Sequence, residues 1–231
     1  MFEVLMSEQA FILSAALSHR LSGLKAKGCT VRVTHDYQSV AEKLLEIGKP
    51  YLTPTLSPEK NDFTFEGCFW VTISGSGKML GAAGVKLERL GRERVSDYWK
   101  RIHQRQYPGA NDVATIKEVS SLVDGRLSGD VVYFGDLFFS PELRKLNAVE
   151  DFGRAALYHA AITWRANQFY AFLKDRDLRR GFGFQLGLMS CIPRAQVWSA
   201  PVPETRGDHE ACCYSSMDDV MNLAELDTGI A

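Results

Sequence analysis

The chain has 231 residues, of which 45% are hydrophobic and 24% are charged, and its formal net charge is -1. This composition is typical of a globular protein and excludes a disordered chain, which could not bury enough apolar surface. The 27 basic and 28 acidic residues argue against nucleic acid as the main partner, because proteins that bind phosphate backbones carry a basic excess.

Further classes of protein are excluded by the cysteines, the histidines and the N-terminal segment. Five cysteines without a short repeated spacing favour neither a secreted disulfide scaffold nor a zinc module, and five scattered histidines predict no metal site. Residues 1–6 lack the cationic start of a signal peptide, and no apolar run approaches the roughly 20 residues of a membrane span. We therefore expect a cytoplasmic protein that binds no membrane.

Helices and strands alternate in the first half of the chain. Leucines at 13, 17, 21 and 24 follow helical spacing, and Gly28 ends that pattern. The predicted elements are a helix over 7–27, a strand over 30–34, a helix over 38–47, a loop over 51–67, hairpin strands over 68–73 and 80–87, and a polar helix over 92–107 that resembles an insertion.

The second half is dominated by apolar strands. Residues 131–139 are apolar almost throughout, which is typical of a strand that is covered on both faces. Residues 111–129 are ambiguous, although 116–123 could form a short strand. The other predicted elements are a helix over 148–166, a strand over 169–173, a short helix over 176–188, and strands over 195–202 and 210–217.

This order of elements predicts an α/β protein with a mixed sheet. No repeat, low-complexity tract or linker divides the chain. We expect one domain over residues 1–231, with an N-terminal helical extension over 1–28 and an insertion over 92–130.

Two segments resemble a known family. Residues 135–144 (GDLFFSPELR) are similar to the central strand and following loop of the GNAT superfamily of N-acetyltransferases, and residues 175–184, which end in GFGF, resemble its fourth helix. The order of elements agrees with that family from residue 30 to 217. The resemblance implies a mixed, mostly antiparallel central sheet flanked by helices, and acetyl-CoA or another acyl-CoA as the donor.

The resemblance also implies how the donor binds. In the family, the central strand diverges from its neighbour, and its exposed backbone pairs with the pantetheine arm of the thioester. Leu137, Phe138 and Phe139 match that segment. An unpaired strand edge suits an amide-bearing arm, because backbone groups need partners in any case. The alternative is that these phenylalanines are ordinary core residues.

The next segment departs from the family. The glycines that normally wrap the pyrophosphate of coenzyme A are missing from residues 144–154. Asn147 followed by Glu150 predicts an N-cap with a capping-box partner. Glu150 and Asp151 would repel a pyrophosphate there, and the side chains expected to offset this are Arg144, Lys145 and Arg154. Together with Asn147, they are the residues of this stretch expected to bind the donor.

Acyl transfer to an amine needs a base and an acid. Asp136, on the central strand, is a candidate base, and Glu118 is a second carboxylate candidate. The alternative for Asp136 is a strand charge that meets solvent or a cationic partner. The family often takes its acid from a tyrosine on the fourth helix. That stretch is residues 177–180 (DLRR), and none of its side chains replaces the tyrosine straightforwardly. Tyr170, on the preceding strand, is a candidate acid.

Three hypotheses about function stay open. The first is an N-acyltransferase that moves an acyl group from an acyl-CoA to a small amine or amino acid by direct attack. The second is a catalytically inactive binding or regulatory module on the same scaffold. The third is an acyltransferase that uses an acyl carrier protein as donor, as N-acyl amino acid synthases do. A homodimer is compatible with all three, and fold alone does not decide the acceptor.

Overall fold

The computed structural model describes residues 2–107, 116–207 and 209–230, with side chains from residue 8 onward. Residues 108–115 of the expected insertion lie outside the described residues. The strands are Cys29–Thr34 (β1), Cys68–Gly75 (β2), Lys78–Arg89 (β3), Ile116–Val119 (β4), Asp130–Phe139 (β5), Gln168–Leu173 (β6), Ser190–Trp198 (β7) and His209–Ser216 (β8). The helices are Phe2–Ala26 (α1), Tyr37–Glu46 (α2), Val95–Gln106 (α3), Pro141–Lys145 (α4), Val149–Trp164 (α5), Asp175–Arg179 (α6), Phe182–Gln185 (α7) and Met217–Thr228 (α8).

The strands form one sheet in the order β1-β2-β3-β5-β6-β8-β7-β4. β5 and β6 run parallel, whereas each of the other neighbouring pairs is antiparallel. The predicted mixed, mostly antiparallel sheet with flanking helices is therefore confirmed.

Three predicted elements differ from the structure. The last strand ends at Ser216, and α8 follows it, because Ser216 and Asp219 form a capping box that begins a helix. The short helix predicted over 176–188 is divided into α6 and α7 by Gly181, whose φ of 71° lies in the left-handed region that favours glycine. The penultimate strand begins at Ser190, well before the predicted start at residue 195.

A hydrophobic cluster covers each face of the sheet. On one face, α1, α5 and α8 pack on the strands, with Phe152, Phe169 and Val220 fully buried. On the other face lie α3 and the 3-10 turn Pro54–Leu56, with Trp70 and Trp99 buried. The expected N-terminal helix thus belongs to the first face, and the expected inserted helix belongs to the second.

The loop predicted over 51–67 is folded onto the second face. Leu56 is fully buried, and its Cδ1 lies 2.5 Å from the point where a Cβ on Gly84 would be. A glycine at this position of β3 therefore lets the loop approach the sheet closely.

A β-bulge changes which face the side chains of β5 occupy. Ala83 of β3 falls between the partners of Gly135 and Phe138, so two residues of β5 stand opposite one of β3. Before the bulge Phe134 faces the first cluster, and after it Phe138 faces the second. Simple alternation would have put both on one face, since the side-chain period of a strand is two. Asp136 sits in the bulge with φ at 49°, a conformation that aspartate adopts more readily than most residues.

Candidate active site at the divergence of two parallel strands

The second half of β5 has one unpaired edge. β5 pairs with β6 from Val131 to Phe134 and no further, while its pairing with β3 continues to Phe139. The N–H of Ser140 donates to the carbonyl of Leu80 at 2.9 Å, so Ser140 faces β3. Because the direction of backbone polar groups alternates along a strand, the N–H and carbonyl of Phe139 point to the side that β6 has left. We call residues 131–134 the closed half of β5 and residues 135–139 the open half.

A groove with a volume of about 620 Å³ runs along this edge. One of its walls contains Leu137, Phe138, Phe139, Arg144 and Asn147. The Nε of Arg144 donates to the carbonyl of Phe139 at 3.0 Å, which ties α4 to the open edge. Five of the seven residues expected to bind a donor therefore line one groove, here called the β5 groove.

The opposite wall comes from residues that sequence reasoning did not assign to a site. Arg176, Asp177 and Arg180 of the α6 region line it, together with Phe182 and Gln185 of α7. The spacing of four residues between the two arginines puts them on one face of a helical turn. That spacing was the available signal, but nothing local showed that the face lies opposite β5.

The remaining two expected donor-binding residues do not line the groove. Lys145 is exposed beside it on α4. The guanidinium of Arg154 pairs with the carboxylates of Asp227 at 2.6 Å and Glu150 at 3.0 Å, so it joins α5 to α8.

The start of α5 differs from the predicted capping box. The N-cap is Ala148, which makes no side-chain capping bond, and Asn147 precedes it with φ at 51°. The carbonyl of Asn147 accepts a hydrogen bond from Lys27 Nζ at 2.8 Å. The capping-box prediction for Asn147 and Glu150 was wrong, because the short helix α4 ends immediately before and fixes the backbone of this turn.

The carboxylates of the first turn of α5 are held by the N-terminal helix. Asp151 accepts from Arg20 at 2.8 Å and from Lys27 at 2.6 Å. Burial raises the pKa of Asp151, but hydrogen bonds from these two cations outweigh burial, so the pKa lies below its usual value. Glu150 lines the groove and pairs with Arg154. The N-terminal helix thus holds both carboxylates expected to repel a phosphate: it binds Asp151 closely, and Arg20 also lies 3.6 Å from Glu150.

A second, smaller cavity opens beyond Leu137. It has a volume of about 170 Å³ and extends from β5 to β8, with Tyr133 and Glu210 among its lining. Leu137, Asp177 and Phe182 line both this cavity and the β5 groove. We call it the inner cavity. The loop over 51–67 contributes Tyr51 and Thr53 to the lining of the inner cavity. None of the described residues of α1 or α3 lines this cavity.

Asp136 lies in the wall of the inner cavity, and its carboxylate is enclosed. It accepts from the backbone N–H of Thr53 at 3.0 Å and from the Thr53 hydroxyl at 2.9 Å, and it pairs with Lys49 Nζ at 3.0 Å. The side chains of Asp136 and Lys49 are 0% and 8% exposed. The carboxylate therefore fastens the 49–53 segment to the bulge of β5.

The other two candidate catalytic residues lie away from both cavities. Glu118 is exposed on β4 at the far edge of the sheet, with three strands between it and β5. Tyr170 is buried, donates to Glu88 at 2.6 Å and accepts from Trp99 Nε1 at 2.9 Å. Burial and the charge of Glu88 raise the pKa of Tyr170 well above its usual value. The structure does not bring these two residues together with Asp136.

A buried ion pair closes the deep end of the inner cavity. Arg206 Nη1 lies 3.1 Å from Glu210 Oε2, and both side chains are less than 5% exposed. Arg206 also donates to Tyr107 at 2.8 Å and to Thr55 at 3.0 Å. Buried charges need such compensation, so this pair has a structural role.

Within residues 2–107, 116–207 and 209–230, no three histidine, cysteine, aspartate or glutamate side chains lie where they could share a metal ion. None of the described helices combines the length and apolar composition that crossing a membrane requires.

Comparisons with known proteins give distant structural matches alone. No family model and no curated protein matches the chain. Solved structures include a Drosophila melanogaster polyamine N-acetyltransferase, with 12% identity, a TM-score of 0.48 and coverage of 80% of this chain and 97% of that chain. The N-acyl amino acid synthase FeeM, from uncultured soil microbes, has 6% identity, a TM-score of 0.45 and coverage of 88% and 98%. Arabidopsis thaliana NAA60 in complex with acetyl-CoA has 12% identity, a TM-score of 0.42 and coverage of 80% and 96%.

The architecture of the chain itself agrees with the resemblance found in its sequence. Its mixed sheet contains a central strand that diverges from its parallel neighbour at the segment matched to the family. The fold is GNAT-like.

Proposed function

We propose that the protein is an N-acyltransferase that moves an acyl group from a pantetheine-type thioester to an amine by direct attack. The observation that carries the proposal is the open half of β5 beside a groove of about 620 Å³. A free strand edge offers N–H and carbonyl groups at the spacing that an extended amide-bearing arm can pair with. A structure without a ligand function would gain stability by pairing this edge.

The two ends of the groove suggest the direction of the donor. Arg144 and Asn147 lie just before the start of α5, where backbone N–H groups and cationic side chains suit phosphate. Leu137 lies at the other end, where the groove meets the inner cavity. The phosphate end then binds near α5, the arm follows β5, and the thioester reaches Leu137.

The inner cavity is the proposed entrance for the amine. Its volume of about 170 Å³ and its polar lining, which includes Tyr51, Lys174 and Asp177, suit a small polar acceptor. The same properties favour a short acyl group over a fatty chain at the junction. Because coenzyme A and acyl carrier proteins share the phosphopantetheine arm, the groove is compatible with either carrier.

The experiment is calorimetric titration of the full chain with coenzyme A, acetyl-CoA, palmitoyl-CoA and 4′-phosphopantetheine. We expect acetyl-CoA to bind with a dissociation constant in the range of about 1 μM to 1 mM, as is common for enzyme substrates. A carrier-protein enzyme would bind phosphopantetheine as tightly as coenzyme A. A coenzyme A enzyme would bind it more weakly, because phosphate contacts are lost.

Neighbouring arginines provide a matched pair of variants. Arg180 lines the groove, whereas Arg179 pairs with Asp175 at 2.8 Å and does not line it. Arg180→Met should weaken acetyl-CoA binding about tenfold, which corresponds to the loss of about 1.4 kcal/mol from one charge-assisted hydrogen bond. Arg179→Met should change it less than twofold. If none of the four compounds binds the wild-type protein, the proposal fails and the inactive scaffold remains.

A further inference from the structure

The β5 groove and the inner cavity meet at three side chains. These are Leu137 and Phe182, which are apolar, and Asp177, which among the described residues is the one titratable group that lines both spaces. A thioester that follows β5 and an amine that enters from the inner cavity would come together here. The side chain of Asp177 is 32% exposed, so water and ligands can reach its carboxylate.

Three carboxylates line the inner cavity, and two of them are already neutralised by buried cations. Asp136 is enclosed by Lys49 and Thr53, and Glu210 is paired with Arg206. Removing either carboxylate from its cation to serve a ligand would leave a buried charge without compensation, which is costly. Neither is therefore available to an incoming ammonium group.

Asp177 is paired differently. Its partner is Arg176 Nε at 3.1 Å, and the side chain of Arg176 is 73% exposed. Ion pairs between exposed side chains contribute little, because water competes for both charges. An ammonium group at the junction can therefore bind Asp177 with little loss from the existing pair.

We propose that Asp177 is the catalytic carboxylate that binds the acceptor ammonium and takes its proton. This rests on the proposed N-acyl transfer. The ammonium loses one proton to Asp177, and the freed lone pair forms the C–N bond at the thioester carbon. The C–S bond breaks, and the departing sulfur takes up the second proton that the nitrogen releases. Asp177 then returns its proton to solvent, so the products are an amide, a thiol and one proton.

The proposed base is therefore Asp177 on α6, and not Asp136 on β5, which the sequence had suggested. Asp136 was expected from its place on the central strand, but the bulge directs its carboxylate to Lys49 and Thr53. Asp177 occupies the helical stretch where the resemblance implied a tyrosine, and it reaches the open half of β5 from the opposite wall.

The test compares isosteric variants of two carboxylates from one helical turn. Asp177→Asn removes the proposed base, and Asp175→Asn is the matched control, since Asp175 is exposed and pairs with Arg179 away from both cavities. Thiol release from acetyl-CoA is followed with a panel of primary amines that includes spermidine, agmatine and the common amino acids. Donor affinity is measured in parallel by calorimetry.

We expect Asp177→Asn to lower kcat by about 100-fold or more, the usual contribution of general acid–base catalysis. Its acetyl-CoA affinity should stay within threefold, Asp177→Glu should recover part of kcat, and Asp175→Asn should match the wild type.

Wild-type-like turnover in Asp177→Asn overturns the assignment of Asp177 as the base, while the proposed function stands. Loss of turnover in Asp136→Asn together with retention in Asp177→Asn returns the role to Asp136. A wild-type protein that binds no donor or transfers to no amine overturns both proposals.

Discussion

The two halves of β5 are adjacent in sequence, yet their pairing with the neighbouring strands differs. The closed half lies between β3 and β6, and Val131 and Val132 are fully buried there. The open half keeps β3 on one side and borders the β5 groove on the other. The closed half gains stability from burial, whereas the open half leaves backbone groups available for a ligand.

The bulge at Asp136 marks the transition between the halves. It reverses the faces of the following side chains, so that Phe139 packs on Phe152 with the rings at 5.6 Å while Phe138 turns to the opposite face. Bulges re-aim side chains in this way, and they are frequent beside active sites. An open groove can thus arise beside a core strand through one extra residue and the end of one pairing.

The largest expected effect comes from truncating one phenylalanine in each half. Phe134 is 5% exposed in the closed half, whereas Phe138 is partly buried beside the groove. Phe134→Ala should lower the free energy of unfolding by about 3–5 kcal/mol, and Phe138→Ala should lower it by less than half of that. Urea denaturation measures both. Equal losses would contradict the distinction between the halves.

A somewhat smaller effect is expected from the ion pair that supports the bulge. Lys49→Met leaves the buried carboxylate of Asp136 without its cation and should cost about 3 kcal/mol of stability. Adding Asp136→Asn to this variant should recover part of the loss, because the uncompensated charge is then gone. A double-mutant cycle by urea denaturation gives the coupling energy, and additive losses would show that the pair does not hold the bulge.

The smallest effect is expected on the acid sensitivity of folding stability, which depends on the carboxylates that bind Arg20 of α1. Burial raises the pKa of Asp227, but hydrogen bonds from Arg20 and Tyr158 outweigh it, so its pKa, like that of Asp151, lies below the usual value. Carboxylates with a lowered pKa stabilise the folded state above their unfolded pKa of about 3.9 and lose that contribution as the pH falls further.

The variant that tests this is Arg20→Met, since Arg20 contacts both Asp151 and Asp227. The wild type should lose stability as the pH is lowered from 5 toward 2, and Arg20→Met should lose less over the same interval because its carboxylate pKa values are closer to normal. Thermal unfolding at a series of pH values measures this. Parallel pH profiles for the two proteins would contradict the prediction.

Several features of the site followed from short-range sequence patterns. The apolar run that forms β5 is evident in the sequence, because strand signals lie within about ten residues. The helix α4 was not predicted, since the stretch after this strand was expected to be a loop. The resemblance carried by this stretch predicts Leu137, Phe138 and Arg144 as donor-binding residues, and all three line the groove. The cap predicted at Asn147 was wrong, because a helix just upstream decides its backbone.

The opposite wall and the roles of the carboxylates depended on contacts between distant segments. Asp136 lies within the predicted strand over 131–139 and Asp177 within the predicted helix over 176–188, and neither pattern shows which carboxylate has a buried cation beside it. Lys49 lies far from Asp136 along the chain, yet it pairs with Asp136 and leaves Asp177 facing the junction. The sequence by itself determined where the strands and helices lie, since their patterns are periodic and local. Only the tertiary structure decided which charges are neutralised and which stay open to a ligand, because desolvation and ion pairing depend on what packs against each group.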